Sequence, residues 1–262
     1  MEIRGKSAIV TGSSVGVGRA TAVLLASKGC RVVVNCHRTA KEADETAEMC
    51  RAAGAEAFVV RADVSQDAEC RRLVASGVER FGRLDILVNN AGMTRFVRFE
   101  DLEGLTPEMW GEIFATNVYG SFYCARAAVP HLREAGEGAI VNVASIAGMQ
   151  GTGSSIAYAA AKAAVINMTW ALARTLGPEI RVNAVAPGAL DTRWLRDGIG
   201  EAAYEAVRDA YRQTMPLRDI IPAAAVAEAI VWLVEGARMT TGEVFTVDAG
   251  AHLGPGAPIN RR

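Results

Sequence analysis

Short apolar runs recur along the chain, and they predict the strands of one sheet. They are rich in Val, Ile and Ala, and most lack the alternation of apolar and polar positions that marks a half-exposed strand. Such continuous runs are typical of parallel strands that are covered on both faces. The predicted strands are 7–11, 31–35, 57–60, 84–88, 139–143, 180–185 and 243–247.

Helical patterns fill the spaces between these runs. The segments 40–52 and 67–80 each end close to a glycine, which commonly stops a helix, and longer helices are predicted over 107–135 and 155–176. Strands that alternate with helices at this spacing form βαβ units. Because no linker, repeat or low-complexity segment interrupts the pattern, we predict one doubly wound α/β domain over residues 1–262.

A glycine-rich stretch, "TGSSVGVGRA", follows the first predicted strand and contains Gly12, Gly16 and Gly18. Ligands of doubly wound sheets bind at the carboxyl ends of the strands, where these glycines lie. Gly12 permits a tight turn, and the other two remove Cβ atoms where backbone must approach a ligand or the helix must approach the sheet. The free N–H groups at the start of the next helix form a seat for pyrophosphate. A glycine-rich turn without a ligand is the alternative interpretation.

Tyr158 and Lys162 are four residues apart and therefore share one face of a predicted helix. A free phenol has a pKa near about 10, and a neighbouring ammonium group lowers it. We therefore expect a depressed pKa for Tyr158, which makes the phenol a general acid in reduction or a general base in oxidation. Taken alone, the pair also fits a surface Tyr and Lys on an alanine-rich helix.

Three motifs occur together in a specific order: the glycine-rich loop, "NNAG" at 89–92 and "YAAAK" at 158–162, with "VNVAS" before the tyrosine and "NAVAPG" after the lysine. From residue 5 to about 250 the chain resembles the short-chain dehydrogenase/reductase family, and its pattern is similar to the 3-oxoacyl-[acyl-carrier-protein] reductases. The resemblance implies a Rossmann domain with a seven-stranded parallel sheet and NAD(H) or NADP(H) as cofactor. It also implies an oxidoreductase that interconverts a ketone and a secondary alcohol by hydride transfer.

The resemblance further implies the roles of individual residues. Ser145 hydrogen-bonds the substrate carbonyl, Tyr158 supplies the proton, Lys162 also bonds the nicotinamide ribose, and Asn117 anchors a water that links the lysine to solvent. The implied cofactor-binding residues lie in the glycine loop, at the strand ends and in the loop after the sixth strand. They are Gly12, Ser14, Gly16, Val17, Gly18, His37, Arg38, Asp63, Val64, Asn90, Ala91, Gly92, Tyr158, Lys162, Pro187, Gly188 and Thr192.

The end of the second strand predicts the preferred cofactor. An acidic side chain there would bond the adenosine ribose 2′-OH and repel a 2′-phosphate. The chain has Asn35 and Cys36 at that end, followed by His37 and Arg38. Because a guanidinium suits a phosphate, NADP(H) is favoured over NAD(H). NADP-type relatives often carry a basic residue in the glycine loop, where this chain has Val15, so NAD(H) stays open.

Composition and charge narrow the functional classes. The 262 residues have a formal net charge of −1, which gives no electrostatic case for nucleic acid or an anionic membrane surface. The five cysteines are odd in number and include no C-x-x-C pair, so we expect neither a disulfide framework nor a metal site, and a reducing cytoplasm fits. No apolar run reaches the roughly 18 residues of a membrane span. We therefore expect a cytoplasmic protein with a small-molecule substrate.

The segment from about 189 to 220 is predicted to be the substrate lid. Its large side chains could form an apolar wall or pack beneath the lid: Trp194, Leu195, Tyr204 and Tyr211. By analogy with the family, Met93, Met149 and Gln150 border the pocket. The substrate itself stays open between a 3-oxoacyl group and another ketone. An NAD-dependent alcohol or sugar dehydrogenase and a cofactor-binding module without turnover are the alternatives.

Assembly is the last expectation. The strand 243–247 should lie at an open edge of the sheet, and open edges invite pairing. The long predicted helices carry more apolar positions than one sheet face can cover. We therefore expect a homotetramer, as the resemblance also implies.

Overall fold

Seven parallel strands form the central sheet of the protein. The computed structural model describes residues 1–254, so the last eight residues of the predicted domain, 255–262, lie outside the described residues. Ile9 in the centre is flanked by Val33 on one side and Leu87 on the other. The strands are β1 Ser7–Val10, β2 Arg31–Cys36, β3 Ala57–Arg61, β4 Ile86–Asn89, β5 Gly138–Val143, β6 Ile180–Pro187 and β9 Val244–Val247, in the order β3-β2-β1-β4-β5-β6-β9. The predicted seven-stranded parallel sheet is confirmed, and β9 is its edge strand, as predicted.

Helices cover both faces of this sheet. One face carries α1, α2 and α10, and the other carries α3, α5 and α7, so that two separate hydrophobic cores sandwich the strands. The helices are α1 Gly16–Ser27, α2 Ala40–Ala52, α3 Asp67–Phe81, α4 Pro107–Phe114, α5 Gly120–Glu134, α6 Ala147–Gln150, α7 Ile156–Leu176, α8 Arg193–Ile199, α9 Glu201–Thr214 and α10 Ala223–Glu235. Burial of the strands on both faces explains why their sequences are apolar without alternation.

Several elements differ from the sequence-based prediction. The single helix predicted over 107–135 is divided by a π-helical turn, Ala115–Tyr119, which separates α4 from α5. The helices α6 and α10 and a two-strand parallel ladder, β7 Leu190–Asp191 with β8 Ile221–Pro222, were not predicted. The ladder ties the start of the lid segment to its end.

By length and composition α7 is apolar enough to cross a membrane, although the sequence had indicated no such stretch. Half of its most apolar window is buried inside the protein. Ala173 and Leu176 pack into one of the two cores, and Lys162 is buried in the helix near its start. Its apolar character is therefore explained by packing against the sheet.

Candidate active site

The three glycines after β1 are required by the backbone and by close packing. Gly12 and Gly16 have φ angles of +60° and +59°, a region that favours glycine. A Cβ atom on Gly18 would lie 2.5 Å from both the Gly12 carbonyl oxygen and Asn90 Nδ2. Gly18 therefore lets α1 approach the loop and the end of β4, which is one of the two purposes that the sequence suggested.

A hydrogen-bond network fixes the loop against its neighbours. Asn90 Nδ2 donates to the carbonyl oxygens of Thr11 and Gly12, both at 2.9 Å. Thr11 Oγ1 accepts hydrogen bonds from the backbone N–H groups of Asn90 and Ala91 at 3.0 Å each. Asn35 Oδ1 accepts from the Gly12 N–H at 3.0 Å, so the polar residue at the end of β2 holds the loop. No sequence pattern indicated this structural role of Asn35.

One cavity of about 1550 Å³ follows the carboxyl ends of the strands and brings most predicted site residues together. Gly18 and Asn117 are the predicted residues that do not line it, because the first packs inside the loop and the second lies beneath Gly92. The predicted residues that line it are Gly12, Ser14, Gly16, Val17, His37, Arg38, Asp63, Val64, Asn90, Ala91, Gly92, Ser145, Tyr158, Lys162, Pro187, Gly188 and Thr192.

At the end of the cavity near β2, His37 and Arg38 are exposed and reach the same space. His37 Nδ1 lies 3.7 Å from Asp63 Oδ2. Asp63 is the only acidic residue in the loop that follows β3, and its carboxylate faces this histidine. Arg38 makes no ion pair with any residue of the described range 1–254. This end of the cavity therefore offers a guanidinium to a ligand.

At the other end, the start of α7 positions Tyr158 and Lys162. Ser155 caps the helix, and its Oγ accepts a hydrogen bond from the Tyr158 N–H at 3.2 Å. One turn later Lys162 Nζ lies 5.5 Å from the centre of the Tyr158 ring and donates to the Val143 carbonyl oxygen at 2.9 Å. Ser145 follows β5 and accepts a hydrogen bond from the Ala147 N–H at 3.1 Å. The three side chains line one wall of the cavity.

Burial controls the proton affinities of this group. It raises the pKa of Tyr158, and an interaction with the Ser145 hydroxyl offsets only part of that rise. Burial also lowers the pKa of Lys162 to about 8. The expected depressed pKa of Tyr158 is therefore wrong, because removal of the phenolate from water raises the pKa by more than the Ser145 interaction lowers it.

Asn117 lies in the π-helical turn, just behind Lys162. Its Nδ2 donates to the carbonyl oxygens of Met93 and Ile113, both at 2.8 Å. Its Oδ1 is buried and has no hydrogen-bond partner in residues 1–254. A Cβ on Gly92 would lie 2.9 Å from this oxygen and 3.6 Å from Lys162 Nζ. The missing side chain thus leaves a polar niche between the amide and the ammonium.

Side chains of the segment predicted to be the lid line the cavity beside Tyr158. The Trp194 ring meets the Tyr158 ring edge-on, with ring centres 5.8 Å apart, and Leu195 and Tyr211 also line the space. Tyr204 instead packs beneath the lid, fully buried, and its hydroxyl donates to Asp191 Oδ1 at 2.6 Å. Of the four proposed wall residues, three therefore line the cavity.

Of the three residues predicted by analogy to border the pocket, only one lines the cavity. Met93 lines the cavity, but Met149 and Gln150 do not, because they end the short helix α6 and face solvent. The sequence analysis missed the apolar side chains of Phe96, Val97 and Phe99, which also line it. They lie in a segment without regular secondary structure or periodicity, so no sequence pattern indicated them.

The described residues contain no group of His, Cys, Asp and Glu side chains that could hold a metal ion. The five cysteines are unpaired and buried. The cavity has the glycine loop at one end and the Tyr158, Lys162 and Ser145 side chains at the other.

Comparisons with known proteins agree with this geometry. A family model described as enoyl-(acyl carrier protein) reductase matches residues 12–252. A Streptomyces violaceoruber protein assigned as ketoacyl reductase 2 of the granaticin polyketide synthase is 48% identical over 94% of this chain and 96% of its own. The 3-oxoacyl-[acyl-carrier-protein] reductase of Staphylococcus epidermidis is 33% identical over 95% of this chain and 99% of its own.

Solved structures give the same result. A protein from Burkholderia xenovorans that is assigned as a short-chain dehydrogenase/reductase superposes with a TM-score of 0.88 at 37% identity, covering 95% of this chain and 98% of its own. An assigned short-chain alcohol dehydrogenase from Sinorhizobium meliloti has a TM-score of 0.87 at 33% identity, with coverage of 96% and 98%. The protein is thus an oxidoreductase, and its chain belongs to the short-chain dehydrogenase/reductase family.

Proposed function

We propose that the protein reduces a ketone to a secondary alcohol with NADPH. The observation that carries the proposal is the single cavity that joins the glycine loop to Ser145, Tyr158 and Lys162. A nicotinamide cofactor fits its residues, since glycines at positive φ and a helix N-terminus meet at one end and an unpartnered amide oxygen lies near the other. When bound, the cofactor supplies the hydride.

The side chains divide the remaining work. Ser145 and Tyr158 donate hydrogen bonds to the carbonyl oxygen as negative charge develops on it, and Tyr158 then transfers its proton to that oxygen. Lys162 holds the nicotinamide ribose and places positive charge beside the phenol. Asn117 completes the group, because its unpartnered Oδ1 lies near Lys162 and is suited to hold a water that returns protons from solvent.

The pKa directions support this division. At neutral pH the phenol of Tyr158 is protonated, as a general acid for reduction requires, because burial raises its pKa. The ammonium of Lys162 titrates near pH 8, so it can both carry charge and pass on a proton close to the working pH. A positively charged nicotinamide beside the phenol would lower the tyrosine pKa in the oxidative direction.

The preference for NADPH rests on Arg38, which lines the cavity and has no acidic partner among residues 1–254. Arg38→Asp should raise the Michaelis constant for NADPH about 10- to 100-fold, the range for one charge-assisted hydrogen bond, and should change that for NADH little. Equal effects on both cofactors would mean that Arg38 does not contact the 2′-phosphate, and NAD(H) would then be the better proposal.

The substrate class follows from the relatives and from the shape of the site. Two relatives are named for 3-oxoacyl or ketoacyl reduction, which supports a 3-oxo group as the reducible function. We propose that residues 189–220 act as the lid of the single domain, with Trp194 against Tyr158 as its inner surface.

We further propose that the protein acts in the cytoplasm as a homotetramer. The edge strand β9 exposes Phe245, which stacks on exposed Trp232 with ring centres 5.6 Å apart. An apolar surface beside an open sheet edge is suited to pairing with another copy.

A panel of ketones and alcohols assayed with both cofactors tests the proposal, with the absorbance of reduced nicotinamide as the readout. We expect NADPH oxidation with 3-oxoacyl thioesters or another ketone. Tight NADPH binding without turnover on any member of a broad panel would instead indicate a cofactor-binding module.

A further inference from the structure

The glycine loop lacks the cation that a 2′-phosphate site would use, and a residue of the lid stands close to that loop. Val15 occupies the loop position, and it lines the cavity together with Arg193, the first residue of α8. The preceding residue, Thr192, is a neighbour of the loop, since its Cγ2 lies 3.9 Å from where a Cβ on Gly16 would be. The chain thus brings a second guanidinium to this region from a distant part of the sequence.

Arg193 reaches from the lid to α2. One of its terminal nitrogens lies 3.9 Å from Glu42 Oε1, the only ion pair that Arg193 makes with residues 1–254. The Arg193 side chain is 65% exposed, and the distance between the two charged groups is long. Solvent-exposed ion pairs of this kind are weak. A doubly charged phosphate would therefore displace the carboxylate readily.

Glu42 places this contact at the adenosine end of the cavity. It lies in the first turn of α2, four residues after Arg38 in the chain. Its backbone carbonyl oxygen accepts a hydrogen bond from Arg19, whose Nε also donates to the Ser14 carbonyl oxygen. These bonds fix α2 to the glycine loop, and the loop is hydrogen-bonded to Asn35 at the end of β2. A side chain that reaches Glu42 is therefore close to the end of β2.

We propose that Arg193 is a second determinant of cofactor specificity, which leaves Glu42 and binds the 2′-phosphate of NADP(H) opposite Arg38. The inference rests on the NADPH preference proposed above. It also gives the start of α8, which already lines the cavity, a direct contact with the cofactor. Glu42 then acts as a competitor that keeps Arg193 near its position when no phosphate is bound.

Binding of nucleotides without the nicotinamide tests the inference apart from any turnover. The probes are adenosine 2′,5′-bisphosphate and 5′-AMP, measured by isothermal titration calorimetry. We expect Arg193→Gln to weaken the bisphosphate about 10-fold or more and to leave 5′-AMP unchanged. Glu42→Gln should tighten the bisphosphate about 3-fold, because it removes the competing carboxylate and a negative charge.

Arg212→Gln in α9 is the matched control, since it removes the same charge from an exposed lid residue that does not line the cavity. A thermal melt of each variant verifies folding. Equal affinities for Arg193→Gln and Arg212→Gln would overturn the inference. Equal losses for both nucleotides would also overturn it, because they would place Arg193 at the 5′-phosphate.

Arg38→Gln separates this inference from the proposed cofactor preference. If Arg38→Gln weakens the bisphosphate and Arg193→Gln does not, the preference for NADPH stands and the role of Arg193 fails. If neither variant changes the difference between the two nucleotides, the proposed NADPH preference fails as well.

Discussion

The buried ammonium of Lys162 should cost the protein stability, and Lys162→Met should therefore stabilise the fold while it damages the site. Lys162 is 4% exposed, and its Nζ donates to the Val143 carbonyl oxygen. Burial lowers its pKa from 10.5 to about 8. A pKa shift of one unit corresponds to about 1.36 kcal/mol. Burial of the protonated Lys162 side chain therefore disfavours folding by roughly 3 kcal/mol at neutral pH. Loss of the bond to Val143 offsets part of this, so we expect a gain of about 1–2 kcal/mol.

The gain in stability expected for Lys162→Met should depend on pH in a defined direction. Between pH 8 and 10 the folded protein releases the Lys162 proton while the unfolded chain keeps its own, so this residue makes stability rise with pH. The advantage of Lys162→Met should therefore shrink across that range. Buried thiols such as Cys30 and Cys50 have raised pKa values and act in the opposite direction, but they are common to both proteins and cancel in the difference.

Urea unfolding at pH 7, 8, 9 and 10 measures the free energy of unfolding of both proteins. Turnover and NADPH affinity of the variant should both fall, because the ammonium is assigned to the phenol and to the ribose. A variant that is less stable at pH 7, with a difference that does not change with pH, would show that burial does not penalise this charge.

Two other predictions concern the glycine loop and the assembly. Gly18→Ala should lower the free energy of unfolding by about 1–3 kcal/mol and weaken NADPH binding, since its Cβ would lie 2.5 Å from the Gly12 carbonyl oxygen. The control Gly111→Ala, a helical position with open space around it, should instead add about 0.5–1 kcal/mol; equal effects in urea unfolding would contradict the packing argument. Light scattering should give the mass of four chains, and Trp232→Glu beside β9 should lower it; a monomer of the unmodified protein at micromolar concentration would refute the proposed tetramer.

The sheet was predictable because each strand is buried on both faces and therefore has a continuous apolar sequence. The same reasoning fails for α10, whose sequence "AAAVAEAIVWLVE" contains only two charged residues. A nearly continuous apolar run fits a buried strand as well as a buried helix. The division of 107–135 was also invisible, since a π-helical turn adds one residue to an otherwise helical pattern without changing its composition.

The candidate site was predictable where a motif fixes residues that are near in sequence, as for Tyr158 and Lys162. The sequence could not show that Asn35 accepts a hydrogen bond from the Gly12 N–H, because that contact joins the ends of two strands. It also could not give the pKa direction of Tyr158, because the direction depends on how completely the tertiary fold removes the phenol from water.

The proposed reaction depends above all on the Tyr158 hydroxyl as the source of the proton for the substrate carbonyl. Tyr158→Phe removes only this hydroxyl and keeps the ring that Trp194 contacts. The direct measurement is single-turnover NADPH oxidation with a ketone that the unmodified protein reduces, together with a separate titration of NADPH affinity. We expect a rate that is lower by at least about 100-fold with nearly unchanged affinity. A rate close to that of the unmodified protein would contradict the assignment of Tyr158 as the proton donor.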